Sequence, residues 1–407
     1  MIELLSIGNE LLLGETTDTN ASWIARRLAG EGIAVRRVTT VGDDVGVIRD
    51  AMRDGLRRSG TVLCTGGLGP TPDDLTRHAL AEVYGSRIVV DEGWMEVLRE
   101  RYARRGIPLP PANRVQAERP EAAVLLHNER GTAPGLAMDG TPGLTVVLPG
   151  VPHEMRALLD AAVLPLLHRR FPGTTSIESR VLRTTGISEA LVAENVADLV
   201  PELAPLVLAF LPQITGVDLR LTAPGAEAAR QLDGGVERLR DRLGHHVYAD
   251  GTDDLAVVVG RMLRERGMKL ALAESCTGGL VARRMTDEAG ASEYLLAGFV
   301  TYSNDAKQAS LGVRPETLAM HGAVSELCAR EMAEGARRVT GADAGVAITG
   351  VAGPGGGSED KPVGTVWLAV ALPGGTVARH VVFPGDRGAI RERSAQAALD
   401  LLRRSLQ

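Results

Sequence analysis

A serine and a lysine carry the sharpest chemical suggestion in this sequence. Ser275 lies in Ala273-Glu274-Ser275-Cys276-Thr277-Gly278-Gly279, and Lys307 ends Val300-Thr301-Tyr302-Ser303-Asn304-Asp305-Ala306-Lys307. A serine hydroxyl becomes a useful nucleophile when a neighbouring base takes its proton. A lysine can be that base if desolvation keeps its amine neutral, whereas arginine holds its proton near neutral pH. Of the 45 basic residues only Lys269, Lys307 and Lys361 are lysines, so Lys307 stands out. The competing reading makes Ser275 and Thr277 ordinary helix caps, each contributing about 1 kcal/mol. Cys276 is a rival nucleophile, because a thiol at a helix N-terminus is acidified. Its histidine partner would be His321 or His380, neither at a telling spacing, and Cys276 serves equally as a small packing residue.

A second chemical signal lies near the start of the chain. Thr65-Gly66-Gly67-Leu68-Gly69-Pro70-Thr71-Pro72 leads into Asp73 and Asp74. Two adjacent carboxylates could hold a hard divalent ion against a pyrophosphate, or simply offset a helix dipole. The glycine spacing is not the dinucleotide fingerprint, and no lysine follows to make a Walker loop.

Both signals need strands and helices to position them. Apolar runs at Met1 to Ile7, at Thr61 to Cys64 and at Lys269 to Leu272 read as strands that feed small-residue turns. The last turn opens a helix at Leu280 to Arg284. A strand, a glycine-rich turn and a helix place ligands at the carboxyl end of a parallel sheet, where backbone N–H groups and the helix dipole favour anions. Between the two halves, Ser179 to Thr185 and Val217 to Thr222 alternate like strands, while Glu189 to Leu199 and Ala226 to Leu243 have helical periodicity. That pattern predicts a small α+β module over 174–250, with a spacing or dimerisation role. The flanking domains then cover 1–170 and 253–407, with turn-rich boundaries.

Five motifs together carry a resemblance. They are the Ser275 segment, Val300 to Asn304, His321-Gly322-Ala323-Val324-Ser325-Glu326, Gly353-Pro354-Gly355-Gly356-Gly357-Ser358 and Lys361 to Trp367. In this order they resemble the C-terminal domain of the CinA (competence/damage-inducible) family, which is similar to nicotinamide mononucleotide (NMN) amidohydrolases. The likeness implies a cofactor-free Ser–Lys amidase with Ser275 as nucleophile, Lys307 as base and Tyr302 as a supporting hydroxyl. Amides near Cys276, Thr277 and Gly278 would hold the oxyanion. The substrate phosphate would fall to Arg387, Arg391 and the loop bearing Gly350, Gly353, Gly355 and Gly356, although such a loop is also what an ordinary connection looks like.

The N-terminal half resembles the family's other domain through Gly66 to Thr71, Asn128-Glu129-Arg130-Gly131-Thr132-Ala133-Pro134-Gly135 and Leu148 to Pro152. That domain is similar to the molybdopterin-binding fold, a doubly wound α/β sheet, and in this family is associated with metal-dependent ADP-ribose pyrophosphatase activity. The resemblance implies Asp73, Asp74, Asp43 and Glu154 as ligands of a divalent metal ion (Mg, Mn or Co). Gly66, Gly67, Gly69, Thr71 and Thr132 would line the phosphates. It also implies a homodimer. Two other readings remain: a non-catalytic partner in DNA uptake or damage response, and a pterin-binding module.

Composition sets the outer bounds. With 407 residues the chain suits two or three domains. A net charge of −6 offers no general attraction to nucleic acid or anionic membrane, so neither partner is expected. The three cysteines form neither a disulfide framework nor a zinc pattern, which fits a reducing cytoplasm. No signal peptide and no membrane span are expected. Only 3% of residues are aromatic, so ring-stacking partners for a pterin are scarce.

Overall fold

The computed structural model describes all 407 residues and is a mixed α/β structure. By contacts the chain forms two compact units. One is Met1–Glu178 with Pro224–Glu227; the other is Ser179–Ala223 with Ala228–Gln407.

The first unit is built on a six-stranded sheet. Its order is Val35–Val41, Ile2–Ile7, Thr61–Thr65, Gly143–Leu148, Gly135–Gly140 and Val124–Leu126. The first four strands run parallel; Gly135–Gly140 is antiparallel to them, and Val124–Leu126 is antiparallel to it in turn. Ile2–Ile7 and Thr61–Thr65 are buried at every position, as expected of strands covered by helices on both faces. One face packs on the helix Thr19–Gly30 and on 152–170; the other packs on Val45–Ser59 and Thr76–Tyr84. The strand order reverses between Ile2–Ile7 and Thr61–Thr65, so their carboxyl ends frame a crevice.

In the second unit the middle module forms a four-stranded sheet ordered Val207–Gln213, Gly216–Pro224, Ile177–Thr184 and Val247–Asp250. The expected strands and helices are present, as Ile177–Thr184, Glu189–Val196, Gly216–Pro224 and Ala228–Leu243. Val207–Gln213 was not expected as a strand, because Pro205 and Pro212 interrupt the run. It lies at the sheet edge, where a missing N–H is tolerated. Val247–Asp250 also escaped sequence reading.

The last domain carries a five-stranded sheet ordered Leu295–Val300, Leu270–Glu274, Ala344–Gly350, Thr365–Leu372 and Gly375–Val382. Leu270–Glu274 is parallel to both neighbours and fully buried, and it supplies the floor beneath Ser275. The chain crosses to one side of this strand and then to the other, so Ser275 also follows a point of reversal. No helix is long and apolar enough to cross a membrane.

Candidate active sites

Ser275 begins where the central strand ends. Its N–H donates to Ile348 O at 2.9 Å, which ties the nucleophile to the neighbouring strand. Gly278 and Gly279 then take φ values of 61° and 92°, a left-handed pair that only glycine adopts without strain. The chain curls back, and the amides of Gly279, Val281 and Ala282 donate to the Glu274 carboxylate at 3.0, 3.1 and 2.8 Å. Glu274 therefore takes the start of the helix Leu280–Thr286. This corrects the expectation that those amides and the dipole face a substrate. Gly278 N–H is also spent, on Ser275 O at 3.1 Å, so of the three expected donors the Cys276 and Thr277 amides remain.

Lys307 reaches Ser275 from a separate helix. Ser303 caps Asn304–Leu311 through the Ala306 N–H, and helical side chains lean towards their own N-terminus. Lys307 Nζ accordingly lies 3.0 Å from Ser275 Oγ, 2.8 Å from Thr301 O and 3.4 Å from Tyr302 O. Lys307 is 1% exposed, and burial holds its pKa below the usual lysine value. No acid pairs with it. Nζ can donate to all three oxygens; on losing a proton it would keep two N–H groups on the carbonyls and turn its lone pair to the serine hydroxyl. Cys276, by contrast, is pushed up to about 11 by burial, opposite to the direction a thiolate nucleophile needs.

Tyr302 stands apart from its expected place. Its side chain is 63% exposed, and its hydroxyl accepts from Arg387 at 3.1 Å; only its backbone carbonyl faces Lys307. Arg387 also donates to Gly353 O at 2.7 Å, and Arg391 donates to Thr277 O at 2.8 Å. The two arginines thus fasten the glycine loop and the nucleophile turn to the final helix, Arg387–Ser405. Gly350 ends the strand beside Ser275 and faces Val366. Gly355 and Gly356 are exposed and contribute no such link.

The N-terminal site occupies the crevice at the sheet's reversal point. A cavity of about 440 Å³ is lined by Gly66, Gly67, Gly69, Thr132 and the carboxylates of Glu10, Asp43, Asp73, Asp74 and Glu154. All four predicted acids are present, and Glu10 is an addition. Thr71 does not line the cavity; its N–H and hydroxyl donate to Asp74 at 2.8 and 2.5 Å. Asn128 donates to Glu154 at 2.7 Å, and Asn9 N–H donates to Asp43 at 2.8 Å. No three His, Cys, Asp or Glu side chains are gathered as a ready metal cage. A small hard ion does not require one, since it keeps waters and takes one or two carboxylates together with substrate phosphates. Five acids and no lining lysine or arginine fit a cation entering with a polyanion. No aromatic side chain lines the cavity to stack a pterin.

Two arginines that sequence reading passed over shape this crevice. Arg77, 2% exposed, donates to the carbonyls of Leu68, Gly69 and Asp74 at 2.8, 3.2 and 3.2 Å. Arg101 donates to Asn128 O at 2.5 Å and to Gly131 O. By drawing carbonyls away they hold both loops in place. On the ADP-ribose pyrophosphatase expectation, Arg77→Met should weaken turnover about tenfold through a raised KM, the loss of roughly one charge-assisted hydrogen bond of loop order. Steady-state kinetics that leave KM unchanged would remove this positioning role.

Similarities to known proteins cover the entire chain. Residues 252–406 match the CinA C-terminal domain, 179–249 the damage-inducible protein CinA KH domain and 3–169 a family model described as "probable molybdopterin binding domain". A CinA-like protein of Gemmatimonas aurantiaca is 45% identical over 99% of this chain and 96% of its own length. One of Geobacter sulfurreducens is 46% identical over 100% and 99%. The crystal structure of competence/damage inducible protein CihA from Agrobacterium tumefaciens is 43% identical over 38% of this chain and 94% of its own, with a TM-score of 0.37. KH modules clamp nucleic acid with a Gly-x-x-Gly loop, and residues 179–249 contain no such spacing. Three domain matches in order, with relatives aligned from end to end, establish that this chain belongs to the CinA family.

Proposed function

We propose that the C-terminal domain hydrolyses the carboxamide of NMN, releasing ammonia and nicotinic acid mononucleotide. The observation that carries this reading is the buried 3.0 Å approach of Lys307 Nζ to Ser275 Oγ, with no carboxylate to keep the amine charged. Ser275 Oγ attacks the carboxamide carbon as Lys307 takes its proton. The Cys276 and Thr277 amides receive the developing oxyanion, a contribution of roughly 3–4 kcal/mol per donor. The C–N bond then breaks, and Lys307 protonates the departing amine to give ammonia. A water attacks the resulting ester, Lys307 takes its proton, and Ser275 leaves with a proton restored. Arg387 and Arg391 supply positive charge for the nucleotide's phosphate at the mouth of the site.

In the N-terminal domain the reading is cleavage of the ADP-ribose pyrophosphate. Asp43, Asp73, Asp74 and Glu154, with Glu10, would hold the divalent ion, which when bound offsets phosphate charge. A cavity lined by five carboxylates repels a bare pyrophosphate, so the cation is essential to binding as well as to chemistry. The remaining expectations, a cytoplasmic homodimer with small-molecule nucleotides as partners and no nucleic acid or membrane, belong to this proposal.

Two assays of the full chain test it. NMN should release ammonia in the presence of EDTA, and Cys276→Ala should retain this activity. No ammonia from NMN would end the amidase reading. ADP-ribose hydrolysis should vanish with EDTA and return with Mg²⁺, Mn²⁺ or Co²⁺; hydrolysis indifferent to EDTA would remove the metal role. Loss of both activities would favour the competence or damage-response partner that the relatives' names suggest.

A further inference from the structure

Apart from both sites, a cavity of about 500 Å³ opens within the second unit, between the middle module and the last domain. That volume is typical of small-molecule sites. One wall is the turn leading into the helix Glu189–Val196, and another is the hairpin tip at Ile214. The third is formed by Val381, Phe383 and the final helix. Arg393 Nε donates to Ile214 O at 3.2 Å and holds the hairpin against that helix.

Two polar groups on these walls are donors without an acceptor. Gln396 is 3% exposed, and its Oε1 accepts from Arg284 at 2.8 Å, which fixes the orientation of the amide. Its Nε2 is consequently buried without any partner. Leaving such a group unpaired costs about 1–3 kcal/mol, a cost that a ligand acceptor removes. Arg379 stands exposed on the adjoining strand, and no acid of the chain pairs with it. The acids here do not compensate. Asp400 is engaged by Arg403 and Arg404 at 2.7 and 2.8 Å, and Glu189 is exposed at the rim.

We propose that this cavity binds a small organic anion. Its apolar body packs on Ile187, Val381 and Phe383, and a carboxylate or phosphate oxygen accepts from Gln396 Nε2 while facing Arg379. The site is distinct from the amidase centre but shares a rigid element with it. The helix that presents Gln396 also begins with Arg387 and Arg391, which hold the glycine loop and the nucleophile turn.

The test is a titration of the full chain with the fluorescent anion 1-anilinonaphthalene-8-sulfonate, competed by phenyl phosphate, benzoate and the neutral benzyl alcohol. Saturable binding is expected, displaced by one or both anions and not by the alcohol. Preference between the two anions identifies the headgroup. Arg379→Glu and Ile214→Glu at the mouth should each weaken binding about tenfold or more, the first by losing a charge-assisted contact and both by setting a carboxylate against the anion. Both positions are exposed, so folding is preserved, and an unchanged thermal melt checks it. Equal affinity in both variants, or displacement by benzyl alcohol as readily as by the anions, would overturn the proposal. The readout is binding, so it stands or falls independently of whether NMN is the amidase substrate.

Discussion

Ser275→Ala is expected to abolish the proposed ammonia release from NMN, and Lys307→Ala to lower it by about 10²–10⁴-fold, the usual contribution of a positioned general base. Lys307→Arg should not rescue the loss, because a guanidinium keeps its proton where a buried amine gives it up. The pH profile separates this mechanism from a charge-only role. Burial lowers the Lys307 pKa from 10.5, so kcat/KM should rise with pH through that lowered value. Stability should move in the same direction. The unfolded lysine keeps its proton up to about 10.4 while the folded one releases it earlier, so the unfolded state binds more protons between the two values. The burial cost is thus fully present below the folded pKa and fades as pH rises towards the unfolded one. Lys307→Met should destroy activity and flatten the rise of melting temperature with pH that the lowered lysine pKa gives the wild type. Thermal melts and initial rates on the same samples check both halves. A Lys307→Met variant that is active would remove the neutral-lysine mechanism, and a wild-type pH dependence of stability that Lys307→Met leaves unchanged would remove the lowered pKa.

Ser275 and Lys307 were each legible in the sequence, although only the resemblance joined them as a pair. An apolar strand running into a small-residue turn marks a carboxyl-end site, and one of three lysines in an arginine-rich chain marks an amine able to give up its proton. The supporting groups carried no comparable signal. Arg77 and Arg101 hold loop carbonyls, yet an abundance of arginine hides the few that are buried or pinned, while Arg387 and Arg391 were expected on a phosphate and are found on loop carbonyls. Tyr302 shows a different limit. Its place beside Lys307 in the chain is right, but the backbone carbonyl faces the amine while the ring turns outwards to Arg387. Linear spacing does not reveal which end of a residue faces a site. The edge strand Val207–Gln213 was obscured because proline counts against strands in general and is tolerated at edges in particular. Among the crevice carboxylates, Asp73 and Asp74 stood out as an adjacent pair after a glycine-rich turn, whereas Asp43 and Glu154 became legible only through resemblance, since each comes from a separate segment.

Glu274→Gln is expected to cost about 3–5 kcal/mol, comparable to losing two of its charge-assisted hydrogen bonds. The carboxylate is 1% exposed and accepts three amides, two on one oxygen and one on the other. Glutamine keeps one acceptor and turns an NH₂ group on the remaining amide or amides, so a donor faces a donor in a buried space. At about 2–4 °C per kcal/mol for a domain of 150–250 residues, the melting transition of the C-terminal unit should fall by roughly 10 °C. Activity should fall too, even well below that transition. Glu274 fixes the curl through Gly278 and Gly279, and that curl directs the Cys276 and Thr277 amides. A small misplacement of oxyanion donors is enough to cost about a hundredfold in rate. Glu274→Asp distinguishes the two roles: it keeps the charge but shortens the reach, so stability should recover more than turnover does. Had the helix dipole served the substrate directly, removing the competing carboxylate would instead have freed its amides and improved turnover. A Glu274→Gln chain that melts like wild type and hydrolyses NMN at least as fast would show that the turn is held by other contacts.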